Sequence, residues 1–228
     1  MSRSFSLADS QTLDDLQVYL ARAARIEEGS ARLIAGSGLL AVYVAVFYPA
    51  GLMDETPTVL GLRTVALQPG ADGAPDAFDV VVPVRSLLTR LESAQARAAE
   101  PGPITISLPM EVNTVTWAAI SPPRGGWHPI GVTATPVLEA AARSGIDEVA
   151  SAVPSAAGEQ IVRRVRSEVW SRPIEGLEHL PAAAGFAALA LGFLGADDVR
   201  MYETGPWTRL STQRGHVLVK RKAWTLSR

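Results

Sequence analysis

Apolar and polar positions alternate along this chain in blocks. The longest uncharged block, residues 33–53 between Arg32 and Asp54, reads LIAGSGLLAVYVAVFYPAGLM. Roughly 20 apolar residues would span a bilayer as a helix. The internal pattern argues for a sheet. Gly36-Ser37-Gly38 suits a tight turn. Beyond it Val42, Val44, Val46 and Tyr48 share one face at period 2, and Ala41, Tyr43, Ala45 and Phe47 share the other. β-branched and aromatic residues fit a pleated surface better than a helix. Apolar side chains in both registers predict a strand covered on both faces. Pro49, which has no N–H to donate, ends the ladder.

The same reading extends along the chain. Thr12 is placed to cap a first helix, with Asp15 three residues on and Leu13, Leu16, Leu20 and Ala23 on one face. Gly29 stops it. Residues 58–67 and 78–84 read as strands around a Gly/Pro/Asp-rich loop at 68–77. Leu87, Leu88, Leu91 and Ala98 mark a helix over 85–99, broken by Pro101-Gly102-Pro103. Residues 104–108 and 112–120 read as a further strand pair. The segment 121–129, SPPRGGWHP, is the clearest interruption.

Beyond it the pattern turns helical. Thr135-Pro136 opens a helix closed by Gly145. A short helix follows over 146–153. Ser155 caps a third that runs to about residue 170, with Ile161, Val162, Val165 and Val169 on its apolar face. The second uncharged block, 180–196, reads as a helix apolar on all sides and therefore buried, in the core or in a dimer interface. Residues 207–212 and 216–222 form a hairpin around Gln213-Arg214-Gly215.

The predicted class is α+β: a mostly antiparallel sheet with helices on one face, followed by a helical segment and a C-terminal β-hairpin. The expected organisation is a sheet subdomain over 1–120, a Pro/Gly-rich linker or loop at 121–129, and a helical subdomain with a basic hairpin over 130–228.

Composition narrows the chemistry. The chain has no cysteine, which removes disulfides, thiolate metal sites and cysteine nucleophiles. Its only lysines are Lys220 and Lys222; arginine supplies the remaining basic residues. With its many alanines, this bias points to a GC-rich bacterial genome. No secretory pattern opens the chain, so a cytoplasmic location is expected, without membrane attachment. A mean hydropathy of +0.15 suggests apolar surface covered by a protein partner or a second copy.

Net charge is −2, yet no acid follows Glu203, and residues 204–228 carry six basic side chains. Three helices and a basic hairpin are similar in outline to a winged helix-turn-helix. On that outline Arg163, Arg164 and Arg166 would lie on a phosphate-facing helix, with Arg209, Arg214, Lys220, Arg221 and Lys222 on a wing. The overall acidity and the apolar 180–196 block argue against it, and a solvated edge strand explains the basic arm equally well.

A second candidate is the 121–129 loop, where Arg124, Trp127 and His128 could form a ligand-binding edge. The plain alternative is a linker whose tryptophan docks on the core. Phosphate-loop, dinucleotide and nucleophile-elbow patterns are absent, as is metal-ligand spacing. Neighbouring acids such as Asp14-Asp15 read as helix-start residues. No cofactor, metal or catalytic residue is predicted. The expected function is non-enzymatic binding or assembly with a protein partner or as a homo-oligomer. Nucleic-acid binding through the C-terminal half, and an enzyme with a site near the 121–129 loop, stand as alternatives.

Overall fold

The computed structural model describes residues 3–27, 29–49, 51, 54, 56–69, 77–98, 102–113, 115–153 and 158–220. The end of the first uncharged block at Met53, most of the 68–77 loop, the Ser155 cap, Arg221 and Lys222 lie outside them. In chain order the strands and helices are β1 (Ser4–Leu7), α1 (Ser10–Ile26), β2 (Ser30–Gly36), β3 (Leu39–Phe47), β4 (Thr58–Gln68), β5 (Phe78–Pro83), α2 (Val84–Arg97), β6 (Ile104–Ser107), β7 (His128–Thr133), α3 (Thr135–Ala152), α4 (Glu159–Ser171), β8 (Pro173–Ile174), β9 (Leu177–Pro181), α5 (Ala182–Ala190), β10 (Val199–Thr204), β11 (Trp207–Thr212) and β12 (Gly215–Lys220). The class is α+β, with antiparallel pairing throughout the described ladders. No helix among the described residues is long and apolar enough to cross a membrane.

The chain forms two compact units. The first comprises Met1–Ala45 and Leu62–Ser121, the second Val46–Gly61 and Pro122–Arg228, so β3 and β4 contribute residues to both.

In the first unit the strand order is β5-β2-β3-β4, and β1 pairs with β4 and β6. The β2–β3 hairpin is the one the alternation predicts. Ser37 (φ 52°) and Gly38 (φ 75°) both take the left-handed conformation of a two-residue turn between Gly36 and Leu39. Ala31, Leu33, Leu40, Val42 and Val44 are buried at period 2. Their face shares a core with Leu13, Leu16, Tyr19 and Leu20 of α1 and Leu87 and Leu91 of α2. The Tyr19 hydroxyl donates to the Val42 carbonyl at 3.3 Å.

The expectation of cover on both faces of β3 does not hold. Ala41 and Tyr43, like Arg32 and Ile34 of β2, are only half-buried. Arg32 accounts for what lies there. Its guanidinium makes two bonds to Asp79, at 2.8 and 2.7 Å, and donates to the Ala118 carbonyl at 2.7 Å and the Ser121 hydroxyl at 2.6 Å. The segment it holds is not the strand expected over 112–120. It makes one strand-like bond, Val112 N–H to Val81 carbonyl (2.8 Å), then turns into a 3₁₀ helix at Thr116–Ala119 that buries Trp117. The cap of α1 also differs. Asp9, not Thr12, is the N-cap, and its carboxylate accepts the Thr12 N–H at 2.8 Å.

In the second unit the strand order is β4-β12-β11-β10-β7. The helix expected to stop at Gly145 runs unbroken to Ala152. Gly145 serves packing instead: a Cβ there would collide with the buried ring of Trp170, which lies 4.7 Å from Phe186 and 5.9 Å from Phe47 between centroids. The apolar 180–196 block yields a helix of only nine residues. Leu180 and Pro181 belong to β9, and Gly192 (φ 72°) turns the chain after Leu191. Burial of Ala183, Ala184, Ala187 and Ala188 places α5 in the core of this unit. The C-terminal hairpin turns on Gln213 and Arg214 alone, with Gly215 already in β12. It is the end of an antiparallel meander whose earlier strands, β10 and β7, the sequence pattern did not predict.

Candidate functional site

Strand alternation sorts β10, β11 and β12 into two faces. Val199, Met201, Leu210, Val217 and Val219 are buried on the face toward the core. The other register carries Arg200, Tyr202 and Thr204 from β10, Trp207, Arg209 and Ser211 from β11, and His216, Leu218 and Lys220 from β12; Trp207 and Leu218 are buried, and the others are half-buried or exposed. Cross-strand register aligns Arg200 with Ser211 and His216, and Tyr202 with Arg209 and Leu218. No acid from these three strands lies on this outer face. Glu203, in the opposite register, pairs with the buried Thr208.

Trp127 comes onto this face from the loop before β7. The Arg209 guanidinium carbon lies 4.6 Å from the Trp127 ring and 4.6 Å from the Tyr202 ring. Cation–π attraction of this kind strengthens as the cation loses water. Arg209 Nε is buried without a hydrogen-bond partner, and burial lowers the guanidinium pKa from its usual value. Arg200, Arg209 and Lys220 make no ion pair among the described residues. Beside them, the His216 pKa is pulled down to about 4, first by burial and then by the Arg209 charge. The ring is neutral near pH 7, and its Nδ1 lies 3.0 Å from the Ser211 hydroxyl.

The structure thus joins one residue from each of the two sequence-predicted groups. Trp127 of the loop and Arg209 of the basic arm form a single contact. The other members separate. Arg124 is exposed on the loop. His128 opens β7 and aligns with Glu203, not with the row of Tyr202. Arg163 pairs with Glu159 one turn away, Arg164 is exposed, and Arg166 lies 5.9 Å from the Phe47 ring. Arg214 donates to the Leu194 carbonyl at 2.9 Å. The winged outline also fails, since α5 and β10 intervene between the arginine-bearing helix and the hairpin. Sequence reasoning missed Arg200 and Tyr202. The signal was present in VRMYET, where Val199 and Met201 alternate with them.

Two other features bear on binding. Among the described residues β7 is the outermost strand of its sheet; five of its six residues are exposed, and Ile130 and Val132 keep 39% and 59% of their surface in water. A cleft of about 490 Å³ lies among α3, α4 and β8, floored by Val137, Ala141, Val169 and Ile174. At its rim Arg172 is bound by Glu148 (2.6 and 2.8 Å) and Glu168 (3.2 Å), which raises its pKa, the Glu148 bond most. Among the described residues no three His, Asp or Glu side chains gather in a way that would hold a metal ion.

Residues 1–109 match a family described as Domain of unknown function (DUF8010), and residues 122–224 match Domain of unknown function (DUF8185). No curated protein matches the sequence. Solved structures similar to the chain include the DNA polymerase III subunit beta from Pseudomonas aeruginosa, at 14% identity and TM-score 0.45, and the Helicobacter pylori beta clamp, at 10% and 0.48. These alignments cover 99% and 96% of this chain and 66% and 63% of those chains. This chain therefore spans slightly less than two thirds of their length. Pol III beta of Caulobacter crescentus aligns over 96% of this chain and 65% of its own, at 9% identity and a TM-score of 0.50, a likeness of fold alone.

Proposed function

We propose that this chain is a non-enzymatic binding protein that assembles with a second copy of itself through the open edge of β7. The exposed edge carries the reading. An outermost strand offers unpaired N–H and C=O groups to another strand, and proteins usually blunt such edges with lysine or inward-pointing charge. β7, HPIGVT, carries no Lys, Arg, Asp or Glu; Pro129 and the register shift opposite Met201 and Tyr202 blunt its start, and the remainder presents Ile130 and Val132 to water. Covering each of those side chains contributes roughly 1–2 kcal/mol. Main-chain pairing would supply the register. The shared fold is compatible with this role but does not itself specify one.

Size-exclusion chromatography with light scattering tests it. The expected result is an oligomer at micromolar concentration that Val132→Lys converts to monomer while the circular dichroism spectrum is retained. A wild-type monomer, or an oligomer that Val132→Lys leaves intact, would overturn the assignment.

A further inference from the structure

A second surface, independent of assembly, lies on the outer face of β10, β11 and β12. We propose that this face binds single-stranded nucleic acid, with Arg200, Arg209 and Lys220 meeting phosphates and Trp127 and Tyr202 receiving bases. The first support is charge. In a chain of net charge −2, the outer register of these strands holds three cations and no acid, and none of the three cations has an ion-pair partner among the described residues. Six arginines elsewhere, Arg3, Arg32, Arg63, Arg143, Arg163 and Arg172, face carboxylates, and exposed ones such as Arg124 and Arg164 stand singly, so what sets this face apart is that its cations are gathered beside aromatic rings. A set of cations left unneutralised on one face is complementary to a polyanion.

The second support is aromatic. Trp127 and Tyr202 each lie 4.6 Å from the same guanidinium, yet both rings stay partly exposed. A guanidinium with rings packed against it keeps its in-plane N–H groups for an acceptor, and phosphate oxygens suit that geometry. Interleaved rings and cations on a sheet face are how single strands are held without sequence preference, by stacking and phosphate contact together. Duplex bases are already stacked on one another and cannot use the rings. An acidic polypeptide would use the charges but would gain little from the rings.

The test is fluorescence anisotropy of the full-length chain with labelled oligothymidylate, and with a duplex of the same length. Three phosphate contacts predict a slope of about −2 for log affinity against log salt on a single strand, or roughly a 15-fold loss between about 50 and 200 mM salt. Arg200→Glu with Lys220→Glu, both at exposed positions, is expected to weaken binding by at least about tenfold and to flatten the slope. Trp127→Ala is expected to weaken binding roughly 5- to 100-fold without changing the slope, and Trp127→Phe to restore most of it. If Trp127→Ala perturbs the circular dichroism spectrum, Tyr202→Leu replaces it in the same comparison. Absence of binding at low salt overturns the proposal, as does binding unaffected by the double charge reversal. Equal affinity for the duplex with indifference to Trp127→Ala also overturns it, leaving only charge attraction. Polyglutamate binding of equal affinity, likewise indifferent to the ring, would assign the face to an acidic polypeptide instead.

Discussion

Gly185→Ala should destabilise this protein, against the usual sign of that substitution. In a helix interior alanine is favoured over glycine by about 0.5–1 kcal/mol. Gly185 lies within α5, and a Cβ there would sit 2.7 Å from the Leu138 carbonyl oxygen and 3.6 Å from the Ala142 nitrogen of α3. Those two groups are partners in the helical i, i+4 ladder, so the methyl would press on backbone that no side-chain rotation can relieve. The helices must part by roughly half an ångström or more, and a gap of that size removes about a quarter to a half of the dispersion attraction between the atoms it separates. Their interface is fully committed: Leu138, Ala142, Ala183, Ala184 and Ala187 are all at 0% exposure. Overpacking of such a core costs about 1–3 kcal/mol. The net after the propensity gain is about 0–2.5 kcal/mol, roughly 1 kcal/mol at mid-range. For a chain of this size the mid-range value lowers Tm by roughly 2–4 °C. The assay is thermal and urea unfolding followed by far-UV circular dichroism, with Gly36→Ala as control because nothing lies within 4 Å of its Cβ. A Gly185→Ala protein as stable as wild type would refute the close-approach reading.

Arg32→Lys should loosen the 112–121 segment, because one ammonium cannot reproduce the bonds to Asp79, Ala118 and Ser121. The expected loss is about 1–3 kcal/mol, with faster hydrogen exchange at the Ala118 and Ile120 amides; unchanged exchange there would contradict it. His216 should make stability depend on pH. Its folded pKa, about 4, lies below the ordinary histidine value of 6.5, so the unfolded chain takes up the proton first as pH falls. The contribution of neutral His216 is fully present above pH 6.5 and is lost as pH drops toward 4, amounting to about 3 kcal/mol at most. His216→Gln should therefore flatten the stability profile over that window relative to wild type, and an NMR titration of the His216 ring near 6.5 would refute its desolvation by the fold.

Where local periodicity met a single demand, the sequence was readable. The turn at Gly36-Ser37-Gly38, the period-2 burial of Val42 and Val44, and α2 follow from period and turn chemistry, whereas the cover expected on the second face of β3 does not appear. Failures came where a distant residue changed the local rule. Gly145 reads as a helix stop, yet it continues α3 because Trp170 needs the space. Residues 112–120 read as a strand, yet Arg32 holds their end in a 3₁₀ turn that no local pattern encodes.

The candidate site stayed hidden for the same reason. Basic residues were visible as a run in the sequence, but a run has no face. Only the alternation of β10, a strand masked by its mixed composition, decides that Arg200 and Tyr202 stand beside Arg209 while Glu203 does not. The pairing of Trp127 with Arg209 depends on a long chain separation and on a loop, where periodicity says nothing. Arg163 and Arg214 drop out because each finds an acceptor, Glu159 one turn away on the same helix or the Leu194 carbonyl, while the Arg209 Nε does not. A cation that the fold desolvates between two rings, without an acid to meet it, is a stronger indication of an anionic partner than the larger number of basic residues around it.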